Sequence, residues 1–301
     1  MNERDLRLIL TEKCNYRCTF CHHEGVAHEI FQTLNNDDYL FLYDTVRQQQ
    51  NIQDVSLTWW EPLMYTKIES LCKLLHDRWA KITLVTNWSL LNINHEVGRR
   101  INRINISLHT LNQWQYSDIT QTRTKLEHII YNIELMRKLY PNLLIRLNAT
   151  VVKWRNDNKE DISALVDLAD KYGLSIKFVE LYPNTEPDFI PLETIEPILE
   201  ELGFEKYQEK PRQTIYGRWK RIIILTKISC GATGQEEHVI APSDSDIFVS
   251  PDGFVSPYPS SENKVSLYDA IKKQNSQEVA SLLQQAIDQV DPSRIPQKIL
   301  A

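Results

Sequence analysis

The chain has 301 residues, 42% hydrophobic and 25% charged, enough to bury one barrel-sized core and an extension. Its formal charge of -6 argues against a broad polyanion-binding surface, so nucleic acid is not an expected partner, although a local basic pocket is compatible with it. No apolar run reaches the roughly 20 residues of a membrane span, and five cysteines, an odd number with no recognisable signal peptide, point to a reducing cytoplasm rather than to disulfides.

Taken in order, the first half alternates strands with helices. Strand patterns fall at 7–11, 54–58, 81–86, 104–108, 144–152 and 175–181. Helical patterns fall at 36–49, 68–76, 125–139 and 162–172. Such alternation implies parallel strands joined by helical crossovers, and six units suggest an open α/β (βα) barrel over residues 1–185. Residues 186–301 read as an α+β extension, with a helix at 192–202, a strand at 222–225, a hairpin over 247–255 turning at Asp252-Gly253, and an amphipathic helix at 276–290.

Three of the five cysteines, Cys14, Cys18 and Cys21, lie within eight residues directly after the first strand. Thiolates are soft ligands suited to iron-sulfur clusters or zinc. A cubane needs four ligands, so three cysteines leave one iron open for chemistry. A zinc knot with His22, His23 or His28 as fourth ligand is the competing reading, although structural zinc sites usually take their cysteines from two separated hairpins. Cys72 and Cys230 are isolated and read as buried small hydrophobes.

The Cys-x3-Cys-x2-Cys spacing after a first strand resembles the radical S-adenosylmethionine (SAM) superfamily. The resemblance implies a partial (βα)6 barrel and one [4Fe-4S] cluster on Cys14, Cys18 and Cys21. It also implies a reduced cluster that cleaves bound SAM to a 5'-deoxyadenosyl radical, which takes hydrogen from a small-molecule substrate. Phe20 matches the aromatic position against the adenine, and Trp59, Trp60, Glu61 and Pro62 stand in the turn that meets the SAM amino group. Ser107, ending the fourth strand, and Asn148, on the fifth, are further SAM-contact candidates, and Glu180, His109 and Asp118 are candidates for proton transfer. The electron would come from a donor such as flavodoxin or ferredoxin.

One departure recurs. Where the superfamily has Gly-Gly-Glu-Pro this chain reads Trp59-Trp60-Glu61-Pro62, Trp88 stands in a Thr-Asn-Gly context, and Trp154 in a Lys-Gly-x-Asn-Asp context; Trp79 precedes a strand where glycine would be unsurprising. Glycine is scarce, 8 residues in 301, or about 3% against about 7% in ordinary proteins, whereas tryptophan numbers 7. Two explanations stay open: a UGA codon read natively as glycine, or a degenerate homologue that has lost SAM binding.

Within the superfamily, residues 5–185 resemble the GTP 3',8-cyclase of molybdenum-cofactor biosynthesis, through Leu6-Arg7-Leu8, Cys21-His22-His23-Glu24-Gly25 and Ile176 to Leu181. That likeness implies a nucleotide site with Arg7, Thr86 and Arg146, but Ser56 and Tyr182 replace expected contacts. The family's second cluster needs three more cysteines. Here only Cys230 matches, Tyr258 stands in place of another, and the chain ends in Lys-Ile-Leu-Ala without a Gly-Gly tail. The reading is therefore a radical SAM enzyme with one cluster and an unidentified substrate; a GTP cyclase with a diverged second site and a non-catalytic metal-binding protein are the alternatives.

Overall fold

The computed structural model describes residues 5–21, 32–90, 95–182, 186–210, 213–227, 246–256 and 264–288. The elements in chain order are β1 (Asp5–Ile9), α1 (Asn36–Gln50), β2 (Asp54–Thr58), α2 (Ile68–His76), β3 (Lys81–Thr86), β4 (Arg103–Ser107), α3 (Gln113–Thr120), α4 (Leu126–Leu139), β5 (Leu144–Thr150), α5 (Lys159–Tyr172) and β6 (Ser175–Val179). There follow α6 (Glu196–Glu201), β7 (Glu205–Lys210), β8 (Gln213–Arg218), β9 (Arg221–Thr226), β10 (Ile247–Val249), β11 (Phe254–Ser256), β12 (Val265–Ser266), α7 (Tyr268–Lys272) and α8 (Ser276–Asp288). No described helix is long and apolar enough to cross a membrane.

All the described strands join one 12-stranded sheet in the order β12-β11-β10-β1-β2-β3-β4-β5-β6-β9-β8-β7. The run from β10 through β1 to β6 and on to β9 is parallel throughout, and antiparallel hairpins finish both ends. The order is open, with β12 and β7 as its ends, so the barrel is partial. Residues beyond 185 thus supply strands to both margins of the same sheet, β9 beside β6 and β10 beside β1.

Local chemistry explains the elements. A capping box starts α1: the Asn35 side chain accepts from the Asp37 and Asp38 N–H groups while Asp38 accepts from the Asn35 N–H. Asn158 caps α5, and Gly173, at φ 66, ends it. In β3 to β6 alternate residues are buried under the helices, among them Ile82, Leu84, Ile104, Ile106, Ile145, Leu147, Ile176 and Phe178. The other alternation, Arg103, Asn105 and Ser107 on β4 or Arg146, Asn148 and Thr150 on β5, faces the barrel interior. The helices cover the apolar face of the sheet, so its polar face lines the lumen.

Candidate active site

A cavity of about 570 Å³ occupies the barrel interior and its mouth. Cys14, Cys18, Cys21 and Phe20 border it, as do Trp59, Trp60, Thr86, Ser107, Asn148, Arg7 and Arg146. The residues singled out from sequence for cluster, SAM and substrate thus converge, with two exceptions.

The exceptions are Glu61 and Pro62, which are buried but do not border the cavity. Pro62 opens a short 3-10 turn, Pro62–Met64, where its missing N–H costs nothing. Glu61 accepts three hydrogen bonds, from the Thr86 hydroxyl (2.7 Å), the Asn87 N–H (2.8 Å) and the Leu63 N–H (3.0 Å). Burial pushes its carboxyl up to about 7 against the pull of those donors. Its side chain is a clamp joining the loop after β2 to the loop after β3. Its backbone N–H donates to the Lys13 carbonyl (3.0 Å), tying both to the cysteine loop.

The cysteine loop is fastened elsewhere as well. The Arg17 and Thr19 N–H groups donate to the Thr120 and Ile119 carbonyls at the end of α3, and the Tyr16 and Tyr116 hydroxyls meet at 2.8 Å. Asn15 donates to the Ser89 hydroxyl (2.7 Å) and accepts from the Asn87 side chain (2.8 Å). Residues from three segments outside the loop therefore hold the thiols. The Tyr16 N–H donates to the Cys14 sulfur at 3.4 Å, and the Asn87 amide lies 3.9 Å from it.

Desolvation raises the Cys14 thiol and takes Cys18 up to about 12, where Cys21 and Cys14 add repulsion. Without a cationic centre these thiols stay protonated; coordinated to iron they are thiolates. Among the described residues no three His, Cys, Asp or Glu groups converge on the position of one metal ion. A cubane asks for something else, since its three protein-bound irons are separate atoms that each take one thiolate. The proposed zinc partners His22, His23 and His28 lie outside the described residues, as do Cys230 and Tyr258.

Above the lumen, Phe20 packs edge-on against the His109 ring at 4.9 Å. Burial holds His109 neutral, with its pKa pushed down to about 4. Its Nδ1 accepts from the Thr150 N–H (3.1 Å), so Nε2 carries the proton. Of the other proton-transfer candidates, Asp118 pairs with Arg155 (3.0 Å) and neither it nor Glu180 borders the cavity. The buried carboxamide oxygens of Asn105 and Asn148 have no hydrogen-bond partner, and both side chains border the cavity. Unpaired buried acceptors of this kind are suited to a polar ligand.

Deeper in the lumen lie Arg7, Arg103, Arg146 and Lys177. Arg103, Asn105 and Lys177 escaped the sequence reading, although the polar-apolar alternation of Arg103-Ile104-Asn105-Ile106-Ser107 carried the signal. The register sets Asn105 beside Arg146 and Asn148 beside Lys177. Arg7 pairs with Asp246 (2.7 Å), with Asp5 farther off at 3.8 Å. Asp5 accepts from the Ser56 hydroxyl, and burial pushes its carboxyl up to about 6. Burial, with Arg103 nearby, brings Arg146 down to about 10. Among the described residues that line the cavity, these four cations stand with one carboxylate, Asp5.

The tryptophans shape the rim. Trp59 stacks on Phe248 of β10, with ring centroids 5.1 Å apart and planes 13° apart, whereas Trp88 is fully buried and does not border the cavity. Both Trp59 and Trp60 border the cavity, where their rings take space at the turn expected to meet SAM. The thiol set fits a cluster, and at the 59–60 turn two indoles crowd the approach expected for SAM.

Comparison with known proteins agrees with this geometry. The Radical SAM superfamily family model matches residues 8–169. Similar curated proteins include a probable GTP 3',8-cyclase of Pyrobaculum aerophilum, 29% identical and covering 66% of each chain. The GTP 3',8-cyclase of Clostridium perfringens is 32% identical over 67% of this chain and 62% of its own, and a probable one of Thermococcus kodakarensis is 30% identical over 68% of each. The chain thus spans about two thirds of the length of these relatives. Among solved structures, Streptococcus suis SuiB bound to S-adenosylmethionine superposes with a TM-score of 0.64 at 14% identity, over 90% of this chain and 63% of that one. Native anSMEcpe with bound AdoMet gives 0.57 at 12% identity, over 94% and 84%. With the family match spanning more than half its length and three cysteines at the mouth of an open parallel barrel, this chain belongs to the radical SAM superfamily.

Proposed function

We propose that this chain is a one-cluster radical SAM enzyme acting on a small substrate that carries an anionic group. The observation that supports it most directly is the placement of Cys14, Cys18 and Cys21 on the rim of a cavity whose depth holds Arg7, Arg103, Arg146 and Lys177. When bound, a [4Fe-4S] cluster and SAM supply the radical chemistry, given an external one-electron donor; the protein positions and shields.

Each part of the site then has a task. The three thiols hold the cluster, and the Tyr16 N–H directed at Cys14 lowers charge on that sulfur. Glu61 keeps the loops after β2 and β3 in register with the cysteine loop. Phe20 and the Nε2–H of His109 offer an aromatic face and a donor near the rim, and Asn105, Ser107 and Asn148 offer polar contacts below it. The cation surplus attracts a phosphate or carboxylate and fixes its orientation.

The cyclisation of GTP named for the relatives is not assigned here, because Cys230 alone among the C-terminal residues matches the second cluster's ligands. A zinc-binding role without turnover is disfavoured by the family match. Anaerobic reconstitution followed by iron and sulfide analysis tests the cluster assignment. About four irons per chain in the parent, lost in Cys14→Ala, Cys18→Ala and Cys21→Ala, is the expected result. One zinc and no sulfide contradicts it.

A further inference from the structure

Six of the seven tryptophans have left-handed backbone: Trp59 (φ 61), Trp60 (51), Trp79 (62), Trp88 (66), Trp154 (62) and Trp219 (57). The other described non-glycine residues with positive φ are Asn51, Gln121 and Gln274. An L residue meets its own carbonyl in this region, and glycine is the ordinary occupant.

The local motifs show what each position demands. Trp79 ends α2 with paired bonds, its N–H to the His76 carbonyl and the Ala80 N–H to the Leu75 carbonyl. The same pair recurs at Gly173 (to Asp170, with Leu174 to Ala169) and at Gly203 (to Glu200, with Phe204 to Leu199). This is the Schellman motif, whose left-handed residue is usually glycine. Trp219 is the first residue of a two-residue hairpin loop between the paired Arg218 and Arg221, where positive φ selects glycine or asparagine. Trp154 is the third residue of a turn closed by the Arg155 N–H on the Val152 carbonyl, the glycine position of a type II turn.

The rings give little in return. Trp79 is 83% exposed, Trp154 73% and Trp219 101%, and the buried indole N–H of Trp88 has no acceptor. Helix packing, a hairpin, a turn and the cavity rim are unrelated settings. What the six share is the written residue.

We infer that a single codon, written here as tryptophan, is decoded as glycine in the cell that makes this protein. A stop codon, UGA, differs from the tryptophan codon UGG by one base, and reassigned UGA rendered as tryptophan produces this pattern. The seventh residue, Trp114, follows by the same codon; it is exposed at the second position of α3, where glycine is tolerated. Glycine then numbers 15 of 301, about 5%, closer to the usual ~7%. The 59–60 turn loses both rings and its backbone is opened to the cavity. This inference rests on backbone geometry and does not depend on the reaction proposed above.

The test is to read the seven codons in the gene and to sequence, by tandem mass spectrometry, peptides of the protein purified from its native cells. UGA at all seven positions and glycine in every peptide are expected, together with a protein that lacks indole absorbance. UGG codons, or tryptophan found at any of the seven positions, would overturn it.

Discussion

Replacing the three exposed left-handed tryptophans together, Trp79→Gly, Trp154→Gly and Trp219→Gly, should stabilise the apo chain made in an ordinary expression host. Each non-glycine residue held left-handed costs roughly 1–2 kcal/mol, so three sites store about 3–6 kcal/mol. Glycine returns part of this through its freer unfolded chain, about 0.5–1 kcal/mol per site. The rings lie in solvent, so little burial is lost; the Lys153 ammonium over Trp154, at 4.4 Å, adds a loss of about 0.5 kcal/mol. The net gain is about 2 kcal/mol, and because the sites share no partner the single gains should add. The assay is urea unfolding followed by far-ultraviolet circular dichroism, with Trp114→Gly as control. That residue is 74% exposed but helical, so its replacement should cost about 0.5 kcal/mol. A triple variant no more stable than the parent, or a control that gains as much, would refute the argument that backbone strain marks these positions.

Glu61→Ala strands two buried N–H groups and a hydroxyl and should destabilise by about 3 kcal/mol, with lower iron content after reconstitution; a variant with unchanged stability and iron would show that the clamp is dispensable. His109 is held neutral by folding, its pKa moved from 6.5 to about 4, so below pH 6.5 the unfolded chain takes up a proton that the folded chain refuses. Stability from this group is therefore lost as pH falls through that window, by about 3 kcal/mol, and the unfolding free-energy difference between parent and His109→Asn should shift by that amount. Glu61 acts with the opposite sign, losing stability as pH rises from 4.5 to about 7, but it is present in both proteins and cancels. A difference flat between pH 4 and 6.5 would contradict a neutral buried ring. Inorganic tripolyphosphate, as a probe of the deep cations, should stabilise the parent by about 2.7 kcal/mol at a hundred times its dissociation constant. Arg103→Ala with Arg146→Ala should abolish that gain; an equal gain in both would place anion binding elsewhere.

The parts of the fold legible in the sequence were those set by local pattern. The strands at 54–58 and 81–86 and the helix at 68–76 have the bounds read from alternation and periodicity, and the cysteine loop falls where its spacing put it. Helix α3 was missed: its run from Gln113 has weak periodicity, although Asn112 caps it. Strand β7 was missed because Glu205–Lys210 is a charged edge strand exposed on both faces. The docking of β9 and β10 at opposite margins rests on pairing between residues far apart in sequence, which no local signal encodes. At the site, the thiols, Phe20, Ser107 and Asn148 all reached the cavity. Glu61 did not, because a motif gives position along the chain and not the direction of a side chain. Arg103 and Lys177 were passed over because the strands were read for their apolar members, whereas in a barrel sheathed by helices the polar members face the ligand.

The most direct measurement is the yield of 5'-deoxyadenosine from SAM under dithionite, after anaerobic reconstitution, for the chain as written and for Trp59→Gly/Trp60→Gly/Trp88→Gly. Cleavage by the glycine form, and its loss when Cys14, Cys18 or Cys21 is also changed to alanine, is the expected result. A fully loaded cluster in both forms with no 5'-deoxyadenosine from either would contradict the assignment of this chain as a radical SAM enzyme.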